Sequence, residues 1–265
     1  MSPLRKFGYK PSKRKGPHIR HLLAPRLGVA LPAAVSLVPY CGPVADQGQT
    51  GSCVGQAIAR AIYIRQGVLG TPCAWPSPAS VYTLARCIER GPTPVGLTPS
   101  PLQDDGCSPE DAFAGALQWG VARNDAWPFD PATIDFEPPF LGLEDALCCK
   151  LTGSYSVPCD STAPELVQHS LAAGYPIVRG GACGDETQNY PGGDAIIGAV
   201  VNPSGGHDTV IVGYDYLGPG GTLRLLEMNS WGEWGNAGFG WTNTDWLAES
   251  EDLDAVTAVT IGAAS

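Results

Sequence analysis

The hydrophobic period of this chain changes near residue 175, from helical spacing to strand alternation, and few folds accommodate that order. Upstream, Ser52 offers an N-cap, and Val54, Ala57, Ile58, Ala61 and Ile62 then fall on one helical face. Ser77-Pro78 opens a second helix with Val81, Tyr82, Ala85 and Ile88 on its buried side. Ser108-Pro109-Glu110-Asp111 opens a third that Gly120 can end. Thr162 with Glu165 forms a capping box for a fourth, closed by Gly174. Downstream, segments 176–179, 207–216, 222–229 and 238–242 are rich in Val, Ile, Leu and aromatics and read as strands. Helices first and strands last predict an α+β protein with segregated elements instead of alternating βαβ units. Two long loops, the Pro-rich 91–101 and the Gly-rich 180–206, are expected to rim a cleft.

With 265 residues, 43% hydrophobic and 16% charged, the chain can bury a full core and does not have the composition of a disordered protein. No apolar run approaches the ~20 residues that span a bilayer, so no membrane partner is expected. The N-terminus lacks an apolar run followed by a small-residue cleavage site, and it is not read as a signal peptide. Nine cysteines, an odd number without a CxxC pair, suggest reduced thiols and a cytoplasmic location, with a virion as the alternative. No ligand-like spacing points to a metal. Charge is strongly asymmetric. Eight of the 16 basic residues lie in 1–28, which holds no acid, leaving eight basic against 26 acidic residues in the body. Such an arm can be a solvated tail, or dock on its own body, a protein partner or a polyanion; nucleic acid is not the expected partner.

Three distant stretches supply chemistry: Gln47-Gly48-Gln49-Thr50-Gly51-Ser52-Cys53, Gly205-Gly206-His207 and Asn229-Ser230-Trp231-Gly232. A thiol nucleophile needs a base, the base an orienting group, and the reacting carbonyl an oxyanion donor. Cys53 stands at a helix start, where free N–H groups favour thiolate. Among four histidines, two lie in the basic arm and His169 lies within a helix, which leaves His207 as the base. Asn229 can accept a hydrogen bond from the His207 Nδ1–H, with an indole beside it to exclude water. The Gln47 amide, with the Cys53 N–H, can donate to an oxyanion. Each residue also has a bland reading: a buried core thiol, a satisfied core histidine, a turn asparagine, a polar loop glutamine.

Together these stretches resemble the papain family of cysteine peptidases. His207 and Asn229 follow Cys53 by 154 and 176 residues. The match runs over about residues 30 to 250, from 31–35, which resembles the mature start, through 104–129, which resembles the stretch around the S2 subsite, to 206–214 and 229–235. The segment 6–11 looks like the leader of bacterial and phage-type members. The resemblance implies a helical left half (about 45–125) and a β-barrel-like right half (about 126–260) with a cleft between them, behind a basic arm of 1–28. It implies catalysis by Cys53, His207, Asn229 and Gln47 on a polypeptide substrate, contacts at Gly106, Cys107, Gly206 and Trp231, and no cofactor. Departures are Thr50 and Asp104 near the places of a family disulfide, Val54 after the nucleophile, Cys107 near the S2 glycine, and Asp208, whose side chain should face away from His207 on a strand. A binding or assembly protein that keeps the fold is the rival from another class, and a transglutaminase-like acyltransferase is a third. The arm is expected to lie on the acidic body or a partner without blocking Cys53 completely.

Overall fold

The computed structural model describes residues 5–15, 17, 19–23, 27–71, 74–91, 102–135, 138–218 and 221–261. Nearly all of the Pro-rich 91–101 stretch lies outside the described residues. The helices are α1 (Ile19–Leu23), α2 (Cys53–Val68), α3 (Pro78–Arg90), α4 (Pro109–Gln118), α5 (Phe140–Ala146), α6 (Ala163–Ala172) and the short α7 (Asp185–Gln188), α8 (Trp234–Ala237) and α9 (Thr244–Ala248). The strands are β1 (Val35–Ser36), β2 (Cys149–Ser156), β3 (Ile177–Gly184), β4 (Ile196–Ile197), β5 (Pro203–Leu217), β6 (Thr222–Met228), β7 (Phe239–Thr242) and β8 (Ser250–Ile261). They form one sheet in the order β2-β8-β3-β5-β6-β7-β4, with β1 paired to β5. All pairings are antiparallel except β4 with β7. The fold is α+β, and among the described residues the sheet is open, not the closed barrel the resemblance implied.

Local chemistry sets the helix ends. Ser77 and Ser108 accept hydrogen bonds from the N–H groups of Ser80 and Asp111, with proline at the first helical position of each. Two expected caps do not form. The Thr162 hydroxyl donates to Asp160 at 2.6 Å, so no capping box is made with Glu165. Ser52 occupies the N-cap position of α2 but pairs its hydroxyl with that of Thr50 at 2.7 Å. A competing side chain nearby wins in both cases.

The predicted stripe of α2 is buried, and so is almost everything else on that helix. It packs on α3 and α4 on one side and on β5, β8 and β3 on another. Arg60 and Arg65 stay inside because their guanidiniums donate to the carbonyls of Cys41, Thr257 and Gly174 and lie over the rings of Trp75 and Tyr175. Gly55 lets α3 cross closely: a Cβ there would stand 2.7 Å from the Pro78 carbonyl oxygen and 2.8 Å from Tyr82 Cβ.

Four strands, β1, β2, β4 and β8, were not expected, and the 180–206 stretch is only partly loop. Its ends, Gly180 to Gly184 and 203–206, belong to β3 and β5. The described part of the arm packs against those glycines. A Cβ on Gly180 would meet Tyr9 Cε2 at 2.2 Å, one on Gly206 would meet Tyr9 Cδ1 at 2.6 Å, and one on Gly205 would meet Phe7 Cδ2 at 2.5 Å. Those strands are glycine-rich because aromatic rings fill the space their side chains would need.

The α2–α3 crossing gives a stability test. Gly55→Ala should destabilise the protein by about 1–3 kcal/mol through overpacking against backbone. Urea unfolding should show a lower midpoint at unchanged slope; an unchanged midpoint would mean that α3 yields without cost.

Candidate active site

Cys53 begins α2, His207 lies on β5, Asn229 follows β6, and Gln47 sits in the loop before α2. The fold brings all four together in the buried interior between helix and sheet. The His207 Nε2–H donates to Asn229 Oδ1 at 2.8 Å, while Nδ1 has no hydrogen-bond partner among the described residues. This reverses the expected ring nitrogen: Asn229 holds Nε2 and leaves Nδ1 free. Asn229 Oδ1 also accepts from the Ser230 N–H at 2.7 Å, which fixes the amide orientation. Trp231 stacks on the imidazole with centroids 4.4 Å apart and 25° between planes, closing the His207–Asn229 bond from one side.

The backbone N–H groups of Gly8, Asp208 and Val54 lie against the Cys53 sulfur and favour its thiolate. Gln47 is tied at both ends. Its Oε1 accepts from Ser230 Oγ at 2.6 Å, and its Nε2–H donates to the Thr50 carbonyl at 2.8 Å and the Lys6 carbonyl at 3.4 Å. At the place the resemblance gives to a disulfide, the Asp104 carboxylate accepts from the Gly51 N–H and the Tyr82 hydroxyl, both at 2.8 Å. All eight cysteines among the described residues are free. No cluster of metal-ligating side chains occurs among those residues.

The arm's position is the main correction. It lies on the acidic body, but it also covers Cys53, which is completely buried. Arg5 and Lys6 pair with Asp46 and Asp104, Lys10 pairs with Glu89, and Lys15 pairs with Asp252. Between these anchors the backbone runs through the cleft. Gly8 passes so close to Gly51 that a Cβ on Gly8 would lie 1.8 Å from the Gly51 oxygen. The Cys107 N–H donates to the Gly8 carbonyl at 2.9 Å, the Lys10 N–H to the Cys107 carbonyl at 3.0 Å, and the Tyr9 N–H to the Gly206 carbonyl at 3.3 Å. Phe7 packs against His207 and Trp231. Gly106 adopts φ 87°, and a Cβ there would strike the Gly8 carbonyl. Each expected substrate-contact residue therefore touches the arm.

This cover sets the electrostatics. Burial pushes the Cys53 thiol up to about 12, with the nearby Asp208 carboxyl adding to the rise. Burial lowers His207 to about 4, against the opposing effect of its bond to Asn229. Under the arm both groups are neutral at pH 7, which differs from the thiolate expected at a helix start. Sequence reasoning missed the arm residues Lys6 to Tyr9 as occupants of this cleft, although the glycines at 180, 205 and 206 carried the signal.

No family model matches the chain. A protein of Acanthamoeba polyphaga mimivirus, described as an uncharacterized peptidase C1-like protein, is 26% identical over 227 residues. That match takes in 80% of this chain and 65% of the relative, so the chain spans just under two thirds of the relative's length. Among solved structures, xylellain, a cysteine protease from Xylella fastidiosa, superposes with TM-score 0.69 and 24% identity over 97% of this chain and 93% of its own. Procathepsin B S9 from Trypanosoma congolense gives 0.72 and 20% over 96% and 86%. Procathepsin L2 from Tenebrio molitor larval midgut gives 0.72 and 21% over 96% and 78%. At these identities the likeness concerns architecture, and the architecture is clear: the chain has the papain-like fold.

Proposed function

We propose that the protein is a cysteine peptidase, held latent by its own N-terminal segment, in which Cys53 attacks a peptide carbonyl. The observation that carries this reading is the His207 ring, held through Nε2 by Asn229 while its buried Nδ1 has no partner among the described residues. The Cys53 sulfur lies against the N–H of the residue following that histidine. Once the arm leaves, water and substrate dipoles replace the dry cover, and the desolvation that keeps Cys53 and His207 neutral is relieved. The thiol proton then passes to Nδ1, and the thiolate adds to the carbonyl carbon. The Gln47 amide, whose Nε2–H already points at a carbonyl of the arm, donates to the developing oxyanion together with the Cys53 N–H. The C–N bond breaks as Nδ1 returns the proton to the leaving amine. Water, deprotonated by His207, then hydrolyses the thioester and restores Cys53. Asn229 and Trp231 keep the ring oriented and its outer hydrogen bond dry.

Two outcomes test this reading. In the intact chain at pH 7, a thiol pushed up to about 12 has a thiolate fraction ~10³-fold below that of an ordinary cysteine. Iodoacetamide should therefore label Cys53 slowly near neutrality. The rate should climb with pH through the alkaline range, and peptide mass spectrometry should find rapid labelling at pH 7 only after the arm is cut. Fast labelling of Cys53 in the intact chain would remove the latency argument.

After arm cleavage, Cys53→Ser and His207→Ala should each lower peptide hydrolysis by at least ~10³-fold with the fold retained, because the two act as one unit. Asn229→Ala should cost less, since it only orients the ring. A binding or assembly role for the same fold predicts that none of the three changes matters and that no peptide is cleaved.

A further inference from the structure

Asp208, which follows His207, is left without a task by this chemistry. The pairings of β3 with β5 and β8 set Asp208, Gly180 and Asp252 side by side in one row, with Val210, Val178 and Asp254 in the next row on the same face. Strand alternation turns this face away from the His207 ring. It runs from the core, at Val178 and Val210, out to the cleft at Gly206. All three carboxyls are almost wholly buried. Both Asp208 oxygens lack a hydrogen-bond partner among the described residues.

What covers the row at present is the arm. The Tyr9 ring lies over Gly180 and Gly206, and its hydroxyl donates to Asp252 Oδ2 at 2.7 Å. The Ser12 N–H donates to the same oxygen at 2.9 Å, and the Lys15 ammonium pairs with the other. A cavity of about 190 Å³ opens beside Asp252 and Asp254, walled by Glu110, Phe113, Ala114 and Leu117 and spanned by Arg14 and Lys15. Tyr9 is the arm residue whose backbone pairs with Cys107. Its side chain marks the space that opens beside Cys107 when the arm leaves.

We propose that the space now held by the Tyr9 ring, together with the cavity beyond it at Asp252, selects a long cationic side chain, lysine or arginine, at the substrate residue beside Cys107, the S2 position, and that Asp208 under the ring and Asp252 at the cavity determine that choice. The proposal rests on the peptidase reading and adds its substrate class. When the arm is cut after Lys15 and leaves, that ammonium goes with it, and Asp208, Asp252 and Asp254 remain with Glu110 on the cavity wall. Arg179, the cation nearest in sequence on β3, projects to the opposite side of the sheet and is committed to Ser250, the Trp246 carbonyl and the Trp246 ring. Under the arm, burial raises the Asp208 carboxyl well above its usual range, and a neutral acid there tolerates the dry contact with Tyr9. A cation entering beside it restores the charged form and satisfies both oxygens, whereas an aliphatic side chain leaves them unpaired. The same row of glycines leaves room for the stem. The exposed Lys13-Arg14-Lys15 stretch of the arm offers this kind of side chain to a second copy of the enzyme.

The test uses the folded full-length protein, cut by limited trypsin digestion and freed of the released arm, with cleavage after Lys15 checked by mass spectrometry. Fluorogenic dipeptides sharing one P1 residue and carrying Arg, Lys, Leu or Glu at P2 are compared by kcat/KM. Arg and Lys should exceed Leu by at least ~10-fold, and Asp208→Asn or Asp252→Asn should bring that ratio toward one. Leu equal to or better than Arg in the unmutated protein overturns the assignment. A second readout needs no hydrolysis. In the intact chain, Tyr9→Arg should melt higher than Tyr9→Leu, and Asp208→Asn should erase the difference; Tyr9→Leu melting as high as Tyr9→Arg also overturns it. If the melting order holds but no peptide is cleaved, the peptidase reading fails while the pocket's preference for cations stands.

Discussion

The placement of Cys53 beside His207 depends on how α2 is buried. The helix is enclosed by α3, α4 and the sheet, with Gly55 permitting the closest crossing, so its first residue has one position relative to β5. Because β5 carries His207 and β6 leads into Asn229, helix burial and strand pairing together decide where the thiol meets the imidazole. The polar groups buried alongside are bound into the same frame. Ser230 links Gln47 to the Asn229 turn, and Asp104 links the Gly51 turn to Tyr82 on α3. Loosening that frame would misplace a reacting atom before it unfolded the chain, since interiors packed at crystal-like density respond to small volume changes.

The same burial keeps Cys53 and His207 from ionising with the arm in place. A thiolate and an imidazolium are stabilised by water, neighbouring dipoles and each other, and a dry cover removes the first of these. Phe7, Gly8 and Tyr9 supply that cover, and the ion pairs of Arg5, Lys6, Lys10 and Lys15 hold its ends. The exposed pairs contribute little individually, on the order of 0–1 kcal/mol. Their role is to fix register, so that Gly8 and not a bulkier residue crosses the Gly51–Cys53 turn. Lys15 differs, because its partner Asp252 is almost wholly buried.

Much of this was legible in the sequence, and the failures have physical causes. Helix starts at Ser77 and Ser108 were readable because capping is local chemistry. Thr162 failed because Asp160, two residues away, captured its hydroxyl. The grouping of Gln47, Cys53, His207 and Asn229 was readable because each sits in a short pattern of its own, but no sequence pattern says which ring nitrogen Asn229 holds. Strand β8 was hidden because Asp252 and Asp254 stand where apolar residues were expected, and buried acids read as loop. Strands β3 and β5 were cut short for the opposite reason. Glycines at 180, 205 and 206 read as flexible loop, whereas they are the bed for two aromatic rings more than 170 residues earlier in the chain.

On the proposed peptidase reading, that long-range fit also sets the terms on which a substrate displaces the arm. The backbone bonds that Gly8, Tyr9 and Lys10 make to Cys107 and Gly206 are of the kind any extended peptide could make, each worth about 0.5–1.5 kcal/mol net. A free peptide gains no advantage from them, because it trades like for like. The arm is moreover tethered, which gives it an effective concentration on the order of millimolar against a competitor in solution. Displacement must therefore draw on side-chain contacts that the arm satisfies poorly, or on loss of the tether itself. The carboxyl of Asp208 is the clearest unsatisfied contact, and cutting the chain between Tyr9 and the buried Ile19 removes the tether while leaving α1 in place. Both routes converge on the stretch around Lys13 to Lys15, where the chain is exposed and where its positive charge lies beside Glu110 and Asp252.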